Sequence, residues 1–353
     1  MSANGTLADT LALKRNNYVV ERLSAAALAI EDYPATSIIT FDEIERAKAY
    51  GRAAQSPRTR HEYARDWAQF AGWCEEKNLT SRPANPTTIA RYAAALAHTG
   101  RAVATIRRAL AGIAHAHAAG GYDSPNGHKA VQDVMRGIAR SVGVAQSEKT
   151  ALTADLLPAV LLAVGERTLR AVRDRAVVLV GFAGGFRRSE IAGIDLEDLQ
   201  FDGRGVRVNL RSSKTDQQRE GRVVALPYVA TTALCPVRAL KTWLADAEIL
   251  GGPVFRSFGL PRGRGDRVER LQDRRISGRD VARIVQRYTA AANLFGDYGG
   301  HSLRAGFITS AAQRKVPEVD VQRVTGHRSV AILRRYVRRA TIFEDAPLNS
   351  ILG

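Results

Sequence analysis

Hydrophobic residues between positions 57 and 142 recur at the three- and four-residue spacing of amphipathic helices. One such helix face comprises Tyr63, Trp67, Phe70, Ala71 and Cys74. Asn85 and Pro86 predict the N-cap and the first-turn proline of a second helix, which ends near His98. A third helix is expected over 103–119 and a fourth over 126–140. This region is therefore predicted to be a bundle of four short helices.

The second half of the chain predicts a small antiparallel sheet among further helices. Thr153 is expected to cap the first of these helices. Apolar and polar residues alternate over 206–211, which is typical of a strand, and 223–226 form the expected returning strand. The polar stretch 212–221 between them is the predicted hairpin tip. From residue 235 onward, helices are expected again.

These patterns divide the chain into five segments. They are a partly ordered leader (1–56), the helical bundle (57–142), a linker (143–152), a domain of helices and strands (153–340) and a tail (341–353). The expected fold class is therefore mainly α with a small antiparallel β-sheet.

Charge makes nucleic acid the first candidate partner. The 353 residues include 52 Lys and Arg against 35 Asp and Glu, which is a formal net charge of +17. So much positive charge repels itself in a folded protein and favours a polyanionic partner. An anionic membrane surface is the alternative, but no apolar run approaches the roughly 20 residues that span a bilayer. The N-terminus also lacks the order of a signal peptide. We therefore expect a cytoplasmic protein, associated with the nucleoid if its source is prokaryotic.

Arginines are the expected DNA contacts, although the same residues would also suit a solvated surface. They lie on the helical bundle, beside the predicted hairpin and within the arginine-dense stretch 256–287. The candidates are Arg101, Arg107, Arg108, Arg136, Arg140, Arg211, Arg275 and Arg279.

Cofactor chemistry has no sequence signature. Cys74 and Cys235 lie far apart and outside any C-x-x-C pair, so neither a disulfide framework nor a zinc site is expected. Both are predicted to be buried thiols. The chain has no G-x-x-x-x-G-K-[ST] phosphate loop, so nothing indicates ATP. We expect no metal and no cofactor.

Three stretches carry candidate catalytic residues. GGFRRSEIAGI places Arg187 and Glu190 three residues apart, and HSLRAGFITSAA gives His301 and Arg304 the same spacing. Residues three apart share one face of a helix, so each pair can address one target. The third stretch, TGHRSVAILRRYV, ends with a tyrosine.

That third stretch needs a break to bring its two reactive side chains together. His327 and Tyr336 are nine residues apart, which puts them on opposite sides of a continuous helix. Gly326 can end one helix and Ser329 can cap the next, so the local sequence permits both side chains to face one pocket.

These residue types suit attack on a DNA phosphodiester. Such attack builds negative charge on the phosphate oxygens, and guanidinium groups stay charged and donate paired hydrogen bonds to them. A tyrosine nucleophile, with an ordinary pKa of about 10, must lose a proton, which a nearby histidine can accept. The leaving 5′-oxygen needs a proton back, and Lys214 on the predicted hairpin tip can deliver one.

The same stretches resemble the active site of the tyrosine recombinase (phage integrase) family. GGFRRSEI is similar to the family's first arginine box and SSKTDQ to the hairpin with its catalytic lysine. HSLRAG matches the H-x-x-R box, and GHRSVAILRRYV matches the final box. The resemblance implies the catalytic set Arg187, Lys214, His301, Arg304, His327 and the nucleophile Tyr336, with Glu190 in support of Arg187.

The resemblance also implies an architecture and a reaction. The helical bundle would be a core-binding domain, which with an α+β catalytic domain forms a C-shaped clamp on duplex DNA. Two subunits would bind an inverted-repeat site, and a tetramer would form the synapse. Cleavage would proceed through a 3′-phosphotyrosyl bond and a Holliday junction without metal or ATP. The short leader favours a compact, Cre-like or Xer-like subtype, and accessory proteins stay unknown.

Two other functions fit part of the pattern. A type IB topoisomerase shares the chemistry but acts as a monomer, whereas the tail 341–353 suggests a segment that docks onto a neighbouring subunit. A catalytically silent DNA-binding regulator would have no need of Tyr336. Within the chain, Tyr288 and Tyr298 are weaker candidates for the nucleophile, since neither follows the G-H box, and Lys241 competes with Lys214.

Overall fold

The chain folds into two compact units, Met1–Gln146 and Ser147–Gly353, each with its own hydrophobic core. The computed structural model describes residues 54–143, 149–165, 167–211, 221–259 and 270–327, together with the isolated residues 42, 45, 46, 49–51, 334 and 351. Most of the predicted leader and tail, most of the hairpin tip with Lys214, and also Tyr336 lie outside these residues.

From Pro57 onward, four α-helices form the described part of the first unit. They are α1 (Pro57–Glu76), α2 (Pro86–His98), α3 (Val103–Ala119) and α4 (Lys129–Val142). Helix α1 packs against α3, and α2 packs against α4. Helix α4 begins at Lys129 rather than near 126, because Pro125–Gly127 forms a separate 3-10 turn. The predicted four-helix bundle is confirmed.

Local signals explain where these helices begin and what they bury. The Asn85 side chain accepts a hydrogen bond from the backbone N–H of Thr87 at 2.9 Å, so the predicted N-cap of α2 is present. On the predicted apolar face of α1, Phe70 and Cys74 are fully buried. Phe70 packs against Tyr92 of α2 with ring centroids 5.1 Å apart. The apolar faces thus meet in one core.

The second unit contains seven described α-helices and two small sheets. The helices are α5 (Leu157–Val164), α6 (Leu169–Ala183), α7 (Arg188–Gly193), α8 (Pro236–Asp246), α9 (Gly278–Ala291), α10 (Ser302–Gln313) and α11 (Glu318–Thr325). The strands are β1 (Leu199–Asp202), β2 (Gly205–Leu210), β3 (Arg222–Pro227), β4 (Arg256–Phe258) and β5 (Leu271–Arg275). Helix α6 packs against α8 and α10, and α9 packs against α7.

The predicted hairpin is the pairing of β2 with β3, and the described residues form three further strands that the sequence does not predict. β2 and β3 pair antiparallel with Leu210 opposite Arg222. β1 adds a third strand at the edge, and β4 pairs with β5 where helices were expected. These additional strands are only three to five residues long. β4 (RSF) and β5 (LQDRR) show no alternation of apolar and polar residues, and the alternation in β1 (LQFD) is confined to four residues.

The end of the predicted linker packs into the second unit. Leu152 is fully buried, and its N–H donates to the Ser302 carbonyl at 3.0 Å. The first helix of this unit begins at Leu157 rather than after Thr153, since residues 154–156 form a turn in which the Leu156 N–H donates to the Thr153 carbonyl at 3.1 Å. The Ala154 N–H donates to the Ser310 hydroxyl at 2.8 Å. Residues 149–152 therefore belong to the folded core.

Two smaller predictions concern the cysteines and the membrane. Cys74 and Cys235 are both buried and free, as expected. Among the described helices, none combines the length and the apolar character that crossing a bilayer requires.

Candidate active site

Helix α10 carries Arg304 into the interior of the second unit. The side chain of Arg304 is 1% exposed. Its Nη1 donates to the carbonyl oxygens of Gly185 at 2.8 Å and Thr325 at 2.7 Å. Burying a guanidinium is costly unless it is hydrogen-bonded, and these carbonyls satisfy it. Arg304 therefore holds the loop before α7 and the end of α11 at a fixed distance from α10.

The predicted pair Arg187 and Glu190 is in contact. Arg187 is the N-cap residue of α7, and its Nη1 donates to Glu190 Oε1 at 2.6 Å. Its backbone N–H donates to Glu190 Oε2 at 2.8 Å. The Glu190 side chain is only 2% exposed, whereas that of Arg187 is 19% exposed. The carboxylate thus fixes both the backbone and the guanidinium of Arg187, leaving part of the guanidinium accessible.

His327 follows the predicted end of α11. Gly326 adopts a left-handed conformation with φ of 63° and terminates the helix. The ring of His327 lies against Arg304, whose Nη2 is 3.0 Å from Nε2. His301 is the exposed N-cap residue of α10, three residues before Arg304. The helix break that the sequence predicts therefore places His327 beside the H-x-x-R segment.

The two ring nitrogens of His327 contact a hydroxyl and a guanidinium. Thr325 Oγ1 lies 2.8 Å from Nδ1, and the same hydroxyl is 2.7 Å from the Val321 carbonyl. Arg304 Nη2 lies 3.2 Å from Nδ1 and 3.0 Å from Nε2. Because a guanidinium can only donate, this contact favours an unprotonated ring nitrogen and therefore a neutral imidazole.

Electrostatics keeps His327 neutral. Burial lowers the pKa of His327 most, and electrostatic interaction with Arg304, Arg187, His301 and Arg222 lowers it further, to about 3. Arg304 contacts the imidazole directly, and the other three residues act on it through space. The structure thus brings together five of the predicted residues, namely Arg187, Glu190, His301, Arg304 and His327.

Arg222 is a site residue that sequence reasoning missed. Its Nη1 donates to the Val324 carbonyl at 2.7 Å, and its Nη2 is 3.4 Å from Glu190 Oε2. It begins β3 on the same face as the buried residues Val224 and Leu226. An arginine in register with inward-facing residues of a strand was the available signal, because such a charge needs a specific partner.

The competing residues have other roles or lie elsewhere. Tyr288 is buried and donates its hydroxyl to Asp174 at 2.9 Å, and Tyr298 is buried as well. Lys241 lies over the rings of Phe201 and Tyr228, 5.3 and 5.5 Å from their centroids. Lys214 and Tyr336 lie outside the described residues, and their assignment stays a prediction.

The arginine candidates for DNA contact differ in their surroundings. Arg108 donates two hydrogen bonds to the buried Asp66, and Arg275 binds the Ala192 carbonyl and Asp195. These two side chains stabilise the fold, a role that the sequence did not indicate. Arg136 and Arg211 form ion pairs at the surface while staying 67% and 60% exposed. The four remaining candidates are exposed as well, namely Arg101, Arg107, Arg140 and Arg279. Contact with DNA stays a prediction for all eight.

Known proteins are similar to this chain in sequence and in fold. The profile of the phage integrase family matches residues 151–341. The integrase/recombinase xerD homolog of Selenomonas ruminantium is 36% identical over 308 residues, which cover 86% of this chain and 88% of that relative. Tyrosine recombinase XerC of Myxococcus xanthus is 29% identical over 173 residues, which cover 49% of this chain and about half (52%) of that relative.

A solved structure agrees with the fold. The crystal structure of XerH site-specific recombinase bound to palindromic difH substrate, a post-cleavage complex, has a TM-score of 0.57 at 16% identity. The match covers 95% of this chain and 94% of that one. At this identity the similarity concerns the fold. The sequence matches supply the relationship: a profile matches more than half of the chain, and a relative aligns along most of it. The chain therefore belongs to the phage integrase family, the tyrosine recombinases.

Proposed function

We propose that this protein is a site-specific recombinase that cleaves and rejoins duplex DNA, with Tyr336 as the nucleophile. The observation that supports this most directly is the convergence of Arg187, Arg304 and His327 around one partly exposed point. A purely structural cluster would not need so many positive charges beside a single buried carboxylate, Glu190.

The excess of positive charge suits a phosphate that gains charge during reaction. The guanidinium groups of Arg187 and Arg222 bind one carboxylate, that of Glu190, and Arg304 adds a third positive charge beside His327. Positive charge therefore exceeds negative charge in this cluster. Guanidinium groups held in place before the substrate arrives need no reorganisation when charge develops on the phosphate oxygens. An anionic substrate would therefore relieve repulsion that the free protein has to tolerate.

In the proposed reaction the Tyr336 Oη attacks the scissile phosphorus. A new P–O bond forms to the phenol, and the bond between phosphorus and the 5′-oxygen breaks. Lys214 gives a proton to the leaving 5′-oxygen. We assign the phenol proton to His301, because a low pKa of about 3 makes His327 a weak proton acceptor in the DNA-free protein. Attack by a 5′-hydroxyl on the phosphotyrosine reverses these steps and rejoins DNA.

The substrate we propose is a duplex with an inverted-repeat site, bound by two subunits and recombined in a tetramer through a Holliday junction. The net charge of +17 and the exposed arginines of the helical unit support binding to the phosphate backbone. In this scheme the helical unit is the core-binding domain and the second unit is the catalytic domain. The protein would act in the cytoplasm as a compact, Xer-like recombinase.

A covalent-capture experiment tests this function and identifies the DNA site at the same time. The full chain is incubated with a library of nicked duplexes that carry randomised inverted repeats around the nick. Adducts that resist SDS are isolated, their DNA is sequenced, and the protein is digested for mass spectrometry. We expect a nucleotide bound covalently to Tyr336 and enrichment of one DNA sequence among the adducts. The duplex with this sequence is called the selected duplex below. Tyr336→Phe should yield no adduct, whereas an adduct at another residue, or none with the wild type, would overturn the proposal.

A further inference from the structure

Arg222 links two segments of the site that come from distant parts of the chain. Its Nη1 binds the Val324 carbonyl near the end of α11, and its Nη2 reaches Glu190 on α7. The side chain is 18% exposed. Glu190 in turn binds the backbone and the guanidinium of Arg187. Arg222 therefore joins the support of Arg187 to the segment that ends in His327.

Two arginines together hold the end of α11. The last carbonyl groups of a helix have no partner within it and carry partial negative charge. Arg222 binds the carbonyl of Val324 and Arg304 binds that of Thr325, which are consecutive residues. Each bond to a charged donor is stronger than a neutral one. The position of the chain just before His327 is thus set by two guanidinium groups.

Gly326 provides an independent indication that the arginine and the backbone are fitted to each other. A Cβ atom at residue 326 would lie 2.4 Å from the Nη1 of Arg222, which is closer than real Cβ contacts allow. The left-handed φ of 63° favours glycine at the same position. Arg222 therefore lies directly against the turn that carries the chain into His327.

We propose that Arg222 is a positioning residue for DNA cleavage, which sets the separation between the Arg187–Glu190 pair and His327. This inference rests on the proposed function, since it assigns Arg222 a task in the same reaction. Arg222 acts through Glu190 and through the end of α11 rather than by contact with the reacting atoms. Its loss would misalign the groups around the phosphate and slow cleavage far more than it weakens DNA binding. Misplacement of about 1 Å is enough to slow an enzymatic step about 100-fold.

The test separates binding from cleavage on the selected duplex. Arg222→Gln, Arg222→Lys and wild type are compared for dissociation constant and for the single-turnover rate of adduct formation at saturating protein. We expect Arg222→Gln to cleave about 100-fold more slowly at saturating protein, a loss much larger than its change in affinity. Arg222→Lys keeps the charge but cannot hold both partners with one ammonium, so it should be intermediate. If Arg222→Gln does not fold, the cleavage rate of Arg222→Lys relative to wild type tests the inference instead.

Arg256 offers a matched control. Its side chain is 16% exposed, and it binds the carbonyls of Pro253 and Gly251. Arg256→Gln should lower the melting temperature as Arg222→Gln does, yet cleave at the wild-type rate. The inference is overturned if Arg222→Gln cleaves at the wild-type rate, if its affinity alone accounts for the loss, or if Arg256→Gln slows cleavage equally. If the wild type forms no adduct at Tyr336, the proposed function fails instead.

Discussion

Lowering the pH from 7.5 to 4.5 should leave His327 neutral in the folded, DNA-free protein. An ordinary histidine has a pKa of about 6.5 and would gain a proton in this range. Burial comes first among the causes that lower the pKa of His327 to about 3, followed by electrostatic interaction with Arg304, Arg187, His301 and Arg222. A proton on Nε2 would also face the Nη2 group of Arg304 at 3.0 Å, where two donors would meet.

The shift has a cost in stability at acid pH. The unfolded chain protonates this histidine near pH 6.5, while the folded protein does so only near pH 3. Between these values the unfolded state binds more protons, so stability falls as the pH drops from 6.5 towards 3. One group lowers the free energy of unfolding by at most about 1.4 kcal/mol per pH unit. From pH 6.5 to 4.5, with allowance for solvent screening, we expect a loss of about 1 to 2 kcal/mol.

Two measurements check this reasoning. In ¹³C-histidine-labelled protein, the His327 ring signal is identified by its absence in His327→Gln and should not move between pH 7.5 and 4.5. Urea unfolding at pH 6.5 and 4.5 should show a larger loss of stability in wild type than in His327→Gln. Arg187→Gln removes one of the causative charges and should raise the pKa of His327. A ring signal that titrates near pH 6.5, or equal acid sensitivity of the two proteins, would refute the argument.

Other predictions concern the cores of the two units. His117 is fully buried, and its Nε2 accepts from the Ala84 N–H at 2.9 Å, so His117→Ala should destabilise the helical unit by about 3 kcal/mol through a cavity and an unsatisfied donor. Urea unfolding followed by tryptophan fluorescence measures this, with the exposed His98→Ala as a control that should stay near wild type. A Cβ at residue 306 would lie 1.7 Å from the Leu152 carbonyl oxygen, so Gly306→Ala should cost about 3 kcal/mol or more in the same assay. Wild-type stability of Gly306→Ala would contradict this close approach. As a control, Gly137→Ala lies on an exposed part of α4 with open space around the added Cβ, and it should raise the free energy of unfolding by up to about 1 kcal/mol.

Helix boundaries and the order of the catalytic motifs could be predicted from the sequence where residues close together in the chain determine the structure. Helix α3 spans Val103–Ala119 as predicted, and Gly326 ends α11 where the sequence allowed a break. Arg187 and Glu190 hold the N-cap and N3 positions of α7, and this local capping arrangement brings them into contact. In each case neighbours in the sequence supply the interaction.

Features that depend on distant parts of the chain were not readable. Strand β4 has three residues and acquires its structure only by pairing with β5. Arg222 meets Glu190 and Val324, which are 32 and 102 residues away. The sequence around Leu152 is typical of a linker, whereas in the structure its N–H donates to the Ser302 carbonyl and its side chain lies in the core of the second unit. No local pattern encodes such contacts, because each requires the tertiary fold to exist first.

The arrangement around His327 joins these two kinds of information. The motifs supply charged side chains, but only the tertiary fold brings Arg304 and Arg222 to the carbonyls of Thr325 and Val324, to which they donate hydrogen bonds. Each guanidinium therefore stabilises the end of α11 while contributing positive charge to the site. This dual use explains how like charges can be held together before any anion binds, since backbone carbonyls and Glu190 offset part of their repulsion. The remaining excess is what a DNA phosphate would neutralise, so preorganisation for catalysis and stability of the free site depend on the same contacts.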